Sequence, residues 1–388
     1  MIYFNSDYTA GAHPKVLERL VATNLEHTVG YGNDHYTARA KELIRKEIGC
    51  DDAEVMFLVG GTQTNATAID GILAHHEGVL AAESGHIAVH ESGAIEASGH
   101  KVLTLPHYDG KVRAEDVEHY ITEFYADETY QHMVAPGMLY ISQPTEYGTI
   151  YSLDELEKLS AVCRRHNIPL YIDGARMAYG LKAEGADFML TDIARLADLF
   201  YIGGTKCGTL FGEALVVANR ALLKNLFPLV KQHGALLAKG RLLGVQFGAL
   251  FRDGLYERIG EGAVQLALRI REAFRAAGYE VVKESPTNQQ FFRLCLRQLF
   301  AIFDTQSICK GFSTVGKGSA NDPENFFLLP CYRRLLIDIK TQNSRIHHFF
   351  IFHHSPPPHQ NHHFFIKFSN KISPAYFYTG LHKNFLFI

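Results

Sequence analysis

Short apolar runs bounded by turn formers alternate with segments of helical spacing up to about residue 292. The runs "EVMFLV" (54–59), "GVLAAE" (78–83), "KVLTLP" (101–106), "GMLYIS" (137–142), "PLYID" (169–173) and "LFYIG" (199–203) predict strands, being rich in β-branched and aromatic residues. Between them, "VLERLVATNLEH" (16–27), "ARAKELIRKEIG" (38–49) and "NATAIDGILAHH" (65–76) carry apolar residues at helical spacing. Gly49 is a natural C-cap for the second of these. "SLDELEKLSAVCRRHN" (152–167) opens on Ser and Asp and closes on a basic turn, the polarity a helix prefers at its two ends. From about 241 to 280 the pattern turns mainly helical, with "GAVQLALRIREAFRAAGY" (262–279) the clearest amphipathic case. Strands alternating with helices predict an α/β fold, a mostly parallel sheet with helices on both faces.

After about Phe292 the pattern dissolves. "HHFFIFHHSPPPHQNHHFFIKFSN" (347–370) has neither the strand nor the helix period. Residues 293–388 hold four acidic residues against eleven Lys and Arg, and 14 of the 26 phenylalanines. A Pro/His-rich tract can be an appended or metal-binding segment. The reading adopted is an aberrant tail of the kind a shifted reading frame would produce, expected to pack poorly. The expected organisation is an N-terminal segment (1–40), a large domain (41–240), the start of a small α+β C-terminal domain (241–292) that is disrupted, and the tail (293–388).

Composition narrows the class further. At 388 residues and 47% hydrophobic, the chain is long enough for more than one lobe. A net charge of −3 and the lack of a long basic run give no basis for nucleic-acid binding. No apolar stretch reaches the ~18 residues of a membrane span, and the start does not read as a secretory signal. The six cysteines have no CxxC spacing and are expected to stay reduced, so a cytoplasmic protein is expected.

Four segments can carry chemistry. In "LFYIGGTKCG" a lysine, Lys206, follows an apolar run and two glycines. An amine at the C-terminal end of such a strand sits where sheets of this class bind ligands, and partial desolvation there suits Schiff-base chemistry; an exposed loop lysine is the plain alternative. "PLYIDGARMAYG" ends a strand on Asp173, with Arg176 three residues on. An aspartate can hold a ring nitrogen protonated and an arginine fork suits a carboxylate, though a helix cap with a salt bridge has the same spelling. "EVMFLVGGTQTNATAI" reads strand, Gly-Gly-Thr, helix: an anion site at a helix start, or simply a capped turn, and not a P-loop. In "ESGHIAVHESGAIE" His86 can lie over an aromatic ring or be structural; without HExxH, zinc is not implied, and no metal is expected.

In this order, "SD" (6–7), "GGTQTN" (60–65), "ESGHIAVHESGAIE" (83–96), "DGAR" (173–176) and "GGTKCG" (203–208) resemble the threonine aldolase and β-eliminating lyase family of fold type I pyridoxal-phosphate enzymes, over residues 1 to about 290. The resemblance implies pyridoxal 5'-phosphate held by Lys206 with Asp173 at its ring nitrogen. It further implies Gly61, Thr62 and Gln63 at the phosphate, His86 against the ring, and Ser6 and Arg176 at the substrate carboxylate. The catalytic set is then Lys206, His86 and Asp173. The reaction implied is cleavage of L-threonine or a related β-hydroxy-α-amino acid to glycine and an aldehyde. A β-eliminating lyase, an aminotransferase, or a member impaired by its C-terminus remain alternatives. The chain departs from the family in "GGT" for "SGT" and in the neighbourhood of the lysine. The family's second carboxylate-binding arginine has no clear counterpart, with Arg293, Arg297, Arg333 and Arg334 the available residues. A homo-oligomer, dimer or tetramer, is implied, in which Lys239 and Arg241 would reach a neighbour's phosphate.

Overall fold

All six apolar runs become strands of one sheet in the computed structural model, which describes residues 6–293 and four short strands beyond them. The strands are β1 (Glu54–Leu58), β2 (Glu77–Ala82), β3 (Val102–Leu105), β4 (Ala135–Ser142), β5 (Leu170–Gly174) and β6 (Leu199–Gly203). A seventh, β7 (Glu213–Val217), was not expected from the apolar pattern; it returns antiparallel to β6 after the lysine segment. The spatial order is β1-β7-β6-β5-β4-β2-β3. Pairing is parallel from β3 through β6, and antiparallel where β7 meets β6 and β1.

The helices follow in chain order as α1 (Pro14–Ala22), α2 (His35–Ile48), α3 (Gly61–Ile72), α4 (His86–Val89), α5 (Ala94–Ala97) and α6 (Ala114–Ala126). After these come α7 (Leu153–Arg165), α8 (Met177–Leu181), α9 (Leu190–Leu196), α10 (Leu226–Gln232), α11 (Arg241–Leu250) and α12 (Leu255–Ala276). Gly49 ends α2 in the left-handed conformation, φ 64°, as its place in the sequence predicts. Ser152 starts α7 through a capping box with Glu155, so the acidic partner is the residue at N3 rather than Asp154.

Both faces of the sheet are covered. Every residue of β5, β6 and β7 is buried. One face buries Leu58, Val79, Met138, Tyr140, Tyr171, Tyr201 and Leu215 in a single cluster with Ala68 and Ile69 of α3. The period of two therefore puts Asp173, two residues beyond Tyr171, on this α3 side of the sheet. Two of the buried tyrosines, Tyr140 and Tyr171, find partners for their hydroxyls at the site described below.

Two units divide the chain. One is residues 10–266 with 286–288, which contains the seven-stranded sheet. The other is residues 1–9, 267–285 and 289–388, where β8 (Glu280–Lys283) pairs antiparallel with β9 (Phe291–Arg293). The strands Ile337–Lys340, Ile346–Ile351, Ile366–Lys367 and Phe385–Phe387 belong to this second unit. The remaining tail, and with it Arg297, Arg333 and Arg334, lies outside the described residues. The expectation of an aberrant tail falls largely there. No helix among the described residues is long and apolar enough to cross a membrane.

A close backbone approach in the large sheet falls at Gly203, the last residue of β6. A Cβ there would lie 2.3 Å from the carbonyl oxygen of Ala175, closer than atoms can pack. Gly203→Ala is therefore expected to lower unfolding free energy by about 1–3 kcal/mol, as overpacking does. Urea denaturation measures it; a midpoint equal to that of the native sequence would mean the strand ends have slack.

Candidate active site

The C-terminal ends of the parallel strands gather the chemistry-bearing residues, as this sheet class favours. Asp173, next to the last residue of β5, has 4% of its surface exposed. Its two oxygens are engaged on several sides. Oδ1 accepts the Ala175 amide at 3.0 Å, and Oδ2 accepts the Tyr140 hydroxyl at 2.5 Å and the Asn65 side-chain amide at 3.2 Å. A buried carboxylate without such donors would be strongly unfavourable; with them, its orientation is fixed.

Asn65 sits in the second turn of α3 and is fully buried. Its amide nitrogen also donates to Glu91 Oε1 at 2.7 Å, and its oxygen accepts the Tyr171 hydroxyl at 2.8 Å. Glu91 in turn bonds His86 Nδ1 at 2.7 Å, while its Oε2 is buried without a partner among the described residues. One hydrogen-bonded chain thus links His86, Glu91, Asn65, Asp173 and Tyr140. Burial alone would lower the His86 pKa. The bond to Glu91 and the negative charges of Asp173, Glu146 and Glu91 outweigh it, and the net direction is upward. The phenols of Tyr140, Tyr171 and Tyr201 are pushed well above their usual range by burial first, then by Asp173.

The start of α3 is open to an anion. Its N-cap, Gly60, offers no side-chain acceptor, which leaves the first amides of the helix, at Gly61, Thr62 and Gln63, uncapped by any side chain. Thr62 is exposed at this end. Gln63 is turned elsewhere: its side chain accepts from the Val59 amide and donates to the His233 carbonyl, each at 3.2 Å. Only its backbone N–H remains for an anion.

Lys206 lies half-buried in the turn between β6 and β7. The Tyr179 hydroxyl donates to the Lys206 carbonyl, which fixes the backbone of this residue from α8. Tyr256 reinforces the same corner: its hydroxyl donates to the Gly203 carbonyl at 3.0 Å and accepts the Ala178 amide at 3.1 Å. Arg176, just before α8, lies 3.8 Å from Glu146 with little of its side chain exposed.

Five of the residues expected from sequence, His86, Asp173, Gly61, Thr62 and Lys206, lie at strand ends or helix starts of the large unit; Ser6 belongs to the other unit. Arg293 bonds Glu280 through Nη1 at 2.8 Å, and Arg241 donates to the Asn24 carbonyl at 3.2 Å. Lys239 precedes α11. The residues missed by sequence reasoning are Asn65, Glu91 as a partner of His86, Tyr140, Glu146 and Glu213. The available signal was a polar residue inside a buried apolar run: Asn65 within "TNATAI" and Glu213 before "ALVV".

Because His86 titrates higher in the folded chain than its ordinary 6.5, its proton stabilises the fold fully below about 6.5. That contribution fades as pH rises through the raised value. Glu91→Gln is expected to lower the His86 titration midpoint seen by NMR. The stability lost in the variant should be larger at pH 6 than at pH 8.5. An unchanged midpoint would remove Glu91 as the cause.

Comparison with known proteins identifies the family. The family model described as Beta-eliminating lyase matches residues 4–309. A low specificity L-threonine aldolase from Pseudomonas sp. (strain NCIMB 10558) is 32% identical over 257 residues, spanning 66% of this chain and 73% of that protein. Another from Pseudomonas aeruginosa is 29% identical over 271 residues, 69% of this chain and 77% of that one. The solved structure of a threonine aldolase from Leishmania major superposes with a TM-score of 0.75 at 43% identity, covering 79% of this chain and 88% of the other. An aspartate aminotransferase from Thermus thermophilus shares the fold, with a TM-score of 0.59 at 17% identity over 75% of this chain and 77% of its own. With the family model matching well over half of the chain, this protein belongs to the Beta-eliminating lyase family.

Proposed function

We propose that the chain is a pyridoxal 5'-phosphate-dependent aldolase that cleaves L-threonine or a related β-hydroxy-α-amino acid to glycine and an aldehyde. The observation that carries this reading is Asp173, buried and aimed by three donors at the end of β5, with the Lys206 turn on the neighbouring strand. The donor set suits the cofactor: uncapped amides at an α3 start for a phosphate, a fixed carboxylate for a ring nitrogen, and an amine for an aldehyde. When bound, pyridoxal 5'-phosphate supplies a sink for the electron pair released as the Cα–Cβ bond breaks.

The protein's own groups do the rest. Lys206 would hold the cofactor's aldehyde carbon, and Asp173 would meet its ring nitrogen. The amides of Gly61, Thr62 and Gln63, with the Thr62 hydroxyl, would hold the phosphate. Arg176 would exchange Glu146 for the substrate carboxylate. His86, lying against the ring, would take the proton of the substrate's β-hydroxyl, directly or through water; the aldehyde then departs and glycine remains after Cα regains a proton. Glu91 behind His86 holds the imidazole's other nitrogen, so the free nitrogen is the one that works. A homo-oligomer is part of the proposal, supported by exposed Leu17, Val21, Leu25 and Val29 at four-residue spacing.

The deciding experiment is the absorbance spectrum of the purified chain with pyridoxal phosphate, repeated for Lys206→Ala. A visible band in the first and its absence in the second are expected; a band that survives the substitution refutes the assignment. Incubation with L-threonine should yield glycine and acetaldehyde in equal amounts; a keto acid instead would mean elimination or amino transfer. For Arg176→Met, KM should rise roughly 10–100-fold, the worth of a charged hydrogen bond of ~1.5–3 kcal/mol, with kcat less affected. Since a base works deprotonated, kcat/KM should rise with pH through the His86 titration, which lies above 6.5.

A further inference from the structure

Four helices of the large unit enclose a basic cavity of about 200 Å³. Lys15 and Arg19 line it from α1, Arg39 from α2 and Arg258 from α12, while Arg252 and Asp253 come from the link between α11 and α12. Gly244 and Gly248, one turn apart on α11, leave the floor without side chains. Lys15 and Arg252 are exposed at the cavity and have no ion pair among the described residues. Arg19 lies over the Tyr36 ring, 5.7 Å from its centroid. Arg39 pairs with Glu42 at 2.9 Å, but both side chains are well exposed, and such pairs are weak. The Arg258 guanidinium donates to the Asp253 carbonyl, which fixes it at the rim. Five cations against one lining carboxylate leave an excess of four positive charges around one hollow. Their mutual repulsion weakens the fold, and a bound anion relieves it. Lys15 and Arg19 stand one turn apart on α1, with the apolar Leu17 and Val21 about 200° round the same helix. A second copy seated on the apolar stripe therefore leaves the basic one open.

The same helices hold the turn that carries Lys206. The His13 amide, at the N-cap of α1, donates to the Gly208 carbonyl at 2.9 Å. Gln246, fully buried on α11, accepts the Leu210 amide at 2.8 Å and donates to the Phe211 carbonyl at 3.3 Å. From α12, the Tyr256 hydroxyl donates to the Gly203 carbonyl at 3.0 Å. Glu213 closes the turn, its Oε2 accepting the Gly204 amide at 2.9 Å. Three of the four helices around the cavity thus grip the lysine segment by hydrogen bonds.

We propose that the cavity is a binding site for a small polyanion bearing two phosphate groups, whose binding steadies the lysine turn through α1, α11 and α12. The lining chemistry selects this class. Four arginines present planar forks that match phosphate oxygens, and Lys15 adds a point charge. A phosphate group carries about −1.5 to −2 near neutral pH, so two of them balance the excess of four. The volume lies below the ~300 Å³ at which pockets for drug-sized ligands begin, which suits pyrophosphate rather than a ligand with a bulky organic body. Binding there does not depend on the cofactor reading of Lys206.

Calorimetric titration of pyrophosphate into the chain loaded with pyridoxal phosphate should show one site per chain, weakening as salt is raised. Arg252→Ala and Lys15→Ala should each weaken binding roughly 10-fold or more, the loss of a charged hydrogen bond. Lys158→Ala, which removes an exposed cation of α7, should leave it unchanged. Inorganic phosphate should bind more weakly than pyrophosphate. With pyrophosphate at about 100 times its Kd, hydrogen exchange of the Leu210 and His13 amides should slow roughly 10-fold, within the ~100-fold that linkage allows. Absence of binding at ~10 mM pyrophosphate would overturn the proposal. So would inorganic phosphate binding as tightly, an affinity indifferent to both cavity variants or equally reduced by Lys158→Ala, or unchanged exchange at Leu210 and His13. Binding that vanishes once pyridoxal phosphate is loaded would place the anion at the α3 start and overturn it too. If either alanine variant fails to fold, Arg252→Gln and Lys15→Gln take its place. Failure of the chain to take up pyridoxal phosphate refutes the cofactor reading alone. The same titrations of the unloaded chain, read through the cavity variants, then decide.

Discussion

A carboxylate held in the interior by three donors is the constraint around which the rest of this protein is arranged. Asp173 cannot be left without partners once β4, β5 and β6 bury it, and its partners come from separate elements: Asn65 from α3, Tyr140 from β4, and the Ala175 amide from its own turn. Each donor is itself locked. Tyr140 stands in the core cluster, and Asn65 is committed to Glu91 and Tyr171. The packing of the α3 face and the aim of the carboxylate are therefore one problem, solved by the same side chains.

Four acids surround the chemistry, and each has a separate answer to its charge. Asp173 has neutral donors, Glu91 has His86 and Asn65, Glu146 faces Arg176, and Glu213 has the lysine turn. The division of labour follows from the answers. An acid bonded only to neutral groups keeps its position while protons move elsewhere. An acid paired with a titrating group shares that group's proton balance.

Much of this was legible in the chain. Six strands announced themselves as apolar runs between turn formers; β5 and β6 are buried on both faces, while β3 leaves Thr104 exposed. The strand β7 escaped for a physical reason: it begins on a glutamate, which a pattern of apolar residues places outside the core, yet that side chain is buried. Asp173, Lys206, Arg176 and the Gly61 turn could be read because each stands beside glycines at an element boundary. Asn65 could not, since its partner is 108 residues away and nothing local distinguishes it from a helix-surface amide. Glu91 was visible as a residue but not as the partner of His86, because a five-residue separation across a short helix end has no periodic signature. The side chain of Gln63 went the other way: the motif suggested the phosphate, while the strand and the His233 carbonyl claimed it.

The hairpin geometry of β6 and β7 has a consequence for how this segment can change over time. Side chains alternate faces along β7, and Glu213 is set opposite Gly203 by the nine residues between them. Loss of a single residue in 204–212 would turn the glutamate to the opposite face and bring Ala214 into its place, and a gain would bring Gly212 there. A change of length is therefore costly to this acid, and so is a side chain at Gly208 or Gly212, whose φ values are 108° and 120°. The spacing from lysine to glutamate, with the two glycines between them, is the feature to follow through descendants of this chain.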